Sequence, residues 1–340
     1  MNILRNGCHH GNAVRSEEDP LTERLRVVYL TESHIDTRFV VAAVGGAHQL
    51  SLFDPSAPLG PQLASADAVI DSGGSVGTRE MLDAARGVRL WQIMGSGFEH
   101  FDLEYWGARG VAVANCPGSA SAPALAERAL MFCLMLAQQY GESRANVERG
   151  VAYRPAGDEL AGKLLGLVGF GASAMAFGRL ARALGMRLAA VDIRPISDDE
   201  AAAHGLEWRG SDADLDSLIA MADVLSLHLH LNAQTRHIID QRRMGLLKPG
   251  AFLINVARGE LVDEPALISA LDEGRLGGAA LDVVATEPVD PGSPLLRLPN
   301  VVLTPHTAGN TAGTLRRRAE FCAQNLDRLA RGLPLKCQLV

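Results

Sequence analysis

No stretch of the 340-residue sequence reaches the roughly 20 apolar residues of a membrane span. The opening MNILRNGCHHGNAVRSEEDP likewise has no apolar core of signal-peptide length. The chain is therefore expected to be cytoplasmic, without a membrane partner. There is no CxxC pair and no Cys/His ligand spacing. The five cysteines, Cys8, Cys116, Cys133, Cys322 and Cys337, are widely separated and odd in number. That spacing argues against a zinc site or a disulfide framework, so no metal is expected and the thiols read as reduced packing residues. An excess of positive charge is also missing. With a formal net charge of -7, the chain lacks the clustered Lys and Arg that phosphate-backbone affinity requires, which excludes nucleic acid as an expected partner. Internal repeats and low-complexity tracts are absent too.

What is present is apolar residue in quantity. A hydrophobic content of 47% over this length suffices for two cores, since domains usually run to about 100–200 residues. Short apolar runs alternate with segments of helical spacing, the pattern of an α/β protein with helices on both faces of parallel sheets. Five runs of strand length fall in the first part: LRVVYL from Leu25, HQLSLFD from His48, ADAVID from Ala66, RLWQIMG from Arg89 and VAVAN from Val111. Six more follow: LLGLVGF from Leu164, RLAAVDI from Arg187, VLSLHLHL from Val224, FLINVA from Phe252, GAALDVV from Gly278 and VVLTPH from Val301. Six suit a doubly wound nucleotide-binding domain. Between the two groups, PALAERALMFCLMLAQQ reads as one buried helix with Pro123 in its first turn. Near the end, Leu315, Ala319, Cys322, Leu326 and Leu329 share one face of a helix begun near Thr311, and that face must dock.

The series LLGLVGFGASAMAFGRLARALGMRLAAVDIRP sets a buried strand, a glycine turn, a helix and a second strand in order. Gly169 permits a tight turn, Gly171 lets the backbone approach a pyrophosphate, and the helix opening at Ala172 and Ser173 offers free amides to that anion. Ala174 takes the third glycine position, where close helix-to-strand packing is the only requirement. Asp192, ending the second strand about 20 residues on, can accept hydrogen bonds from ribose hydroxyls and favours NAD. Arg194 leaves NADP open, because a guanidinium there could meet a 2′-phosphate.

Ligands of open α/β sheets bind beyond the carboxyl ends of the strands. There Arg258 follows FLINVA, Glu287 follows GAALDVVAT, and His306 ends VVLTP. Singly, each has a plain structural reading as a strand cap, a surface acid or a backbone-satisfying imidazole. Together they supply what carbonyl reduction needs beyond a hydride donor. The guanidinium holds a substrate oxygen, the imidazolium gives a proton, and the carboxylate orients and stabilises that imidazolium.

The runs INVARGELVDEPALISAL, LDVVATEP and NVVLTPHTAG resemble the D-isomer-specific 2-hydroxyacid dehydrogenase family, and the resemblance extends from about Ala66 to the C-terminal helix. It implies that Arg258, Glu287 and His306 form a catalytic triad in an NAD-dependent enzyme acting at C2 of a small 2-hydroxy or 2-keto acid. It also places Asp282 at the nicotinamide carboxamide and Asn232, Ala257 and Gly309 along the cofactor. Amides near Ser96 and Gly97 in MGSGFEHFD, with Gly73 of the DSGGS loop, would hold the substrate. The implied architecture is a Rossmann-type dinucleotide domain over 121–309 and a smaller flavodoxin-like substrate domain over 1–120 plus 310–340, with a homodimer forming through the former. Phosphoglycerate-type relatives carry arginines where this chain has Asp71 to Ser75 and Ile93. An unphosphorylated acid such as glyoxylate or hydroxypyruvate is therefore expected, with Asp71 repelling a phosphate. D-3-phosphoglycerate dehydrogenase and a corepressor-like dinucleotide sensor are the alternatives. This chain departs from the family pattern at Ala172, where many relatives are basic, at His230, which replaces a common proline, and near Ala120 in NCPGSASAPALAE.

Overall fold

The computed structural model describes residues 23–31, 36–72, 77–99 and 101–340. Two compact units divide the chain, one of Met1–Ala120 with Ala312–Val340, the other of Ser121–Thr311.

The first unit is built on a five-stranded sheet of β1 (Arg26–Leu30), β2 (Gln49–Leu52), β3 (Ala68–Asp71), β4 (Leu90–Ile93) and β5 (Ala112–Ala114). All its pairings are parallel. The order β2-β1-β3-β4-β5 is the flavodoxin-like arrangement. Alternation along each strand splits the core in two. Val27, Tyr29, Ile70 and Leu90 face one apolar layer, and Val28, Leu30, Val69 and Trp91 face the other. The helix Ala312–Ala330 covers the first of these layers with Ala319, Cys322 and Leu326, flanked by the partly buried Leu315 and Leu329. Polar pins fix it there. Buried Asn325 donates to Gln92 Oε1 at 2.7 Å and to the Lys336 carbonyl at 3.0 Å, and His48 Nε2 donates to Asp327 at 3.1 Å.

The second unit carries β6 (Leu164–Val168), β7 (Arg187–Val191), β8 (Leu206–Gly210), β9 (Val224–Leu227), β10 (Phe252–Asn255), β11 (Gly278–Leu281) and β12 (Val301–Leu303). Their order, β12-β11-β10-β9-β6-β7-β8, is the Rossmann order lengthened by a strand at one edge. Seven strands stand here instead of the six expected from the sequence. The strand that was not expected is β8, LEWRG, an edge strand paired with β7 through a register shift between Leu188 and Ala189. As an edge strand it alternates partly buried and exposed residues, so it lacks the continuous apolar run that marks a central parallel strand. The helix Ala122–Ala137 lies wholly in this unit, its buried Ala126, Ala129, Phe132 and Cys133 packed in the same apolar cluster as Phe177 of the helix Ala172–Ala183.

Cys116, Cys133 and Cys322 are free and buried. Cys337 is disulfide-bonded, which corrects the expectation of uniformly reduced thiols.

Candidate active site

The glycine turn after β6 is tight and leaves no room for a side chain at its first position. Gly169 sits at φ +85°, and a Cβ there would lie 2.7 Å from the His228 carbonyl oxygen. No residue with a side chain fits that conformation and that space. A Cβ on Gly171 would meet nothing within 4 Å, so the backbone at the start of the helix Ala172–Ala183 faces open space with its first-turn amides lacking intrahelical partners. Ala172 is exposed there, whereas Ala174 is fully buried against the sheet. Ser173 Oγ is 3.0 Å from His228 Nδ1, and His228 Nε2 is 3.0 Å from Ser226 Oγ. Burial pushes the His228 pKa down to about 3, so this imidazole is a neutral bridge tying the turn to the end of β9.

Asp192, half-buried beyond β7, accepts the Phe170 amide at 2.6 Å on one oxygen and the Arg194 amide at 2.9 Å on the other. A carboxylate has about four acceptor sites, so capacity remains for ribose hydroxyls. Arg194 points neither into an open groove nor freely to solvent, because it is bound to Glu200 and to the Phe170 carbonyl. Asn232 caps its own turn, its Oδ1 accepting the amides of Gln234 and Thr235 at 2.8 and 3.0 Å.

Arg258, Glu287 and His306 follow β10, β11 and β12, three adjacent parallel strands. His306 Nδ1 donates to Glu287 Oε2 at 2.7 Å, and its Nε2 has no hydrogen bond among the described residues. Burial tends to raise the Glu287 carboxyl pKa. The hydrogen bond and charge of His306, the Val284 amide and the charge of Arg258 outweigh it and hold the carboxyl below its ordinary value. Arg258 Nη1 donates to the Ala257 carbonyl at 2.7 Å.

Of the groups that hold this trio in place, Asn255 and Gly259 carried no expectation from the sequence, and Asp282 was expected only as a cofactor contact. Asn255, almost fully buried at the end of β10, donates to the Arg258 carbonyl at 2.7 Å and accepts the Ala257 amide at 3.0 Å. The amide and carbonyl of Ala257 are thus engaged within the protein. Asp282 is buried, and its carboxylate accepts Thr304 Oγ1 at 2.5 Å and the amides of Thr307 and Ala308 at 3.0 and 2.7 Å. Gly309 lies in the turn closed by the Asn310 amide on the Thr307 carbonyl. Gly259 lets the chain after β11 cross that after β10, since a Cβ would fall 1.9 Å from the Val284 carbonyl oxygen. The one available signal was a polar residue ending an otherwise apolar run, Asn255 in FLIN and Asp282 after GAAL.

In the first unit, the loop after β4 is held by Asn115 Nδ2 donating to the Ser96 carbonyl at 2.8 Å. The amides of Ser96 and Gly97 donate to nothing among the described residues. Gly73 lies outside the described residues, as do Gly74 and Ser75. Asp71 is fully buried, accepting from Trp91 Nε1 at 3.2 Å and the Gly77 amide at 2.9 Å. This corrects the expected role of Asp71 in repelling a phosphate, because its carboxylate buttresses the interior instead of facing a ligand.

The D-isomer specific 2-hydroxyacid dehydrogenase family, in its NAD binding domain, matches residues 130–308. The chain is similar to a glyoxylate reductase of Thermofilum pendens, 35% identical over 259 residues that cover 74% of this chain and 75% of the relative. It is 33% identical over 273 residues to a D-3-phosphoglycerate dehydrogenase of Methanocaldococcus jannaschii, covering 80% of this chain and 51% of that one. The solved structure of D-lactate dehydrogenase from Aquifex aeolicus, complexed with NAD and lactic acid, is similar with a TM-score of 0.76 at 26% identity, over 90% of this chain and 96% of that one.

Proposed function

This chain belongs to the D-isomer-specific 2-hydroxyacid dehydrogenase family and is an NAD-dependent oxidoreductase, and from that premise we propose that it reduces a short, unphosphorylated 2-keto acid such as glyoxylate or hydroxypyruvate. The observation that carries the proposal is the 2.7 Å pair of His306 and Glu287 with Nε2 of the imidazole left to donate. NADH, when bound, supplies the hydride that reaches C2 of the keto acid. Gly169, Gly171 and the helix start at Ala172 and Ser173 are proposed to hold its pyrophosphate, and Asp192 its ribose. Asn232, Ala257, Asp282 and Gly309 would lie along the rest of it, Asp282 through acceptor capacity left beside its three internal donors.

His306 then gives its Nε2 proton to the carbonyl oxygen as negative charge develops there, and Glu287 stabilises the imidazolium before transfer. The Arg258 guanidinium holds a substrate oxygen and keeps C2 in place. The smaller unit is proposed as the substrate domain, with the amides of Ser96 and Gly97 as candidates to bind the substrate carboxylate. NADH oxidation with a panel of 2-keto acids tests the proposal. Turnover of a short unphosphorylated acid with kcat/KM above that of the phosphorylated C3 keto acid supports it. The opposite ranking favours a phosphoglycerate-type substrate, and binding of NADH without turnover of any acid favours a sensor.

A homodimer through the dinucleotide unit forms part of the proposal. Along and beyond the helix Ala122–Ala137, Met131, Leu134, Tyr140, Val147 and Tyr153 are exposed, Tyr153 completely. One protomer in water would leave this apolar strip uncovered. Light scattering at twice the protomer mass is expected. Among the described residues the free, buried thiols of Cys116, Cys133 and Cys322 support a cytoplasmic location and the disulfide at Cys337 opposes it, so cell fractionation decides it. No described helix is long and apolar enough to cross a membrane.

A further inference from the structure

Just beyond β7 stands an ion pair that hydride transfer does not use. Arg194 Nη1 and Nη2 each lie 2.7 Å from an oxygen of Glu200, a bidentate fork. Nη2 also donates to the Phe170 carbonyl at 2.8 Å, within the glycine turn itself. Glu200 is set in place by its own helix, Asp198–His204, where Ser197 Oγ accepts the Glu200 amide at 3.1 Å. The ring closes through Asp192, which accepts the amides of both Phe170 and Arg194.

We propose that Glu200 determines cofactor specificity by withholding Arg194 from the adenosine 2′ position. The inference rests on reading Asp192 as the ribose-binding carboxylate. An arginine close after that carboxylate is where a 2′-phosphate finds its partner. Here the fork of the guanidinium faces Glu200 and the Phe170 carbonyl. A phosphate dianion would have to displace one carboxylate and then sit beside two, Glu200 and Asp192. Arg194 holds the Glu200 carboxyl below its ordinary range, so the pair persists at neutral pH. The side chains of Arg194 and Glu200 are 44% and 23% exposed, and such surface pairs contribute little to folding. Removing Glu200 should therefore alter recognition while leaving the fold intact.

The test is calorimetric binding of NADH and NADPH to the full chain, with kcat/KM for each. Glu200→Ala is expected to improve NADPH binding and kcat/KM on the order of tenfold, the size of one charge-assisted hydrogen bond, while NADH binding changes by less than about threefold. Arg194→Ala should give no such gain, and the double variant Glu200→Ala/Arg194→Ala should lose it. Glu200→Gln, which keeps shape and hydrogen bonding, should move the same way by less. NADPH binding unchanged in a Glu200→Ala protein that still binds NADH would overturn the proposal, as would a gain that survives in the double variant. If Glu200→Ala loses NADH binding, Glu200→Gln decides, and absence of any gain there overturns it. A wild-type protein that binds neither dinucleotide would remove the nucleotide site itself, and this inference with it.

Discussion

The backbone carbonyl of Asp282 accepts the amide of His306 at 2.7 Å, while the Asp282 carboxylate gathers Thr304 Oγ1 and the amides of Thr307 and Ala308. One buried residue thus fixes the chain on both sides of the imidazole. Replacing Asp282 with Asn puts an NH2 group where an acceptor is needed and leaves at least one buried donor unpaired, a cost of about 1–3 kcal/mol. Urea denaturation should show that loss. Turnover should fall further than cofactor affinity, since the imidazole loses its register.

Glu287 gives a pH-dependent prediction with a definite sign. Its folded-state carboxyl lies below the ordinary value. Its contribution to stability is therefore present above the ordinary carboxylate pKa and is lost as pH falls through the folded value. Glu287→Gln should be less stable than wild type at neutral pH, with the gap closing in acid. The pH profile of reduction should also move to lower pH, because the imidazolium loses its anionic partner. A profile and rate identical to wild type would remove Glu287 from the chemistry.

Gly259 tests whether the chains after β10 and β11 must cross as closely as they do. A Cβ at that position overlaps the Val284 carbonyl. Gly259→Ala should force the segment that leads to Glu287 away from Arg258, costing about 1–3 kcal/mol by overpacking. Thermal unfolding and turnover should both report it. A variant with wild-type melting and rate would show that the crossing is loose.

His228 supplies a second pH signature. With a folded pKa of about 3 against about 6.5 unfolded, it contributes stability above the unfolded value that is lost as pH falls toward the folded one. The unfolding free energy from urea denaturation should therefore decline below about pH 6.5, with a slope approaching 1.4 kcal/mol per pH unit from this one group. His228→Asn should flatten that slope. An equal slope in both proteins would mean that His228 charges in the folded state.

The fold was legible where burial imposes a local pattern. Runs such as LLGLV and FLIN are apolar because central parallel strands are covered on both faces, and they stand as β6 and β10. LEWRG gave no such signal, because β8 meets the sheet on one side only. The residues that follow the strands could be picked out as polar groups at carboxyl ends. What holds them could not. The hold of Asn255 on Arg258 spans three residues and reads as an ordinary strand end. The contacts of Asp282 with residues 304–308 and the crossing at Gly259 join segments more than 20 residues apart. Arg194 shows the same limit, since whether its guanidinium met a phosphate or a carboxylate depended on a helix that begins at Asp198.

His306, oriented by Glu287, is proposed to protonate the substrate oxygen during NADH-dependent reduction of a 2-keto acid. That role is checked in His306→Ala, measured for NADH binding by calorimetry and for turnover with the best keto acid of the wild type. The expected result is NADH affinity within about threefold of wild type and turnover lower by on the order of 100-fold or more, the usual worth of a positioned general acid. Turnover near the wild-type rate with NADH still bound would contradict the account.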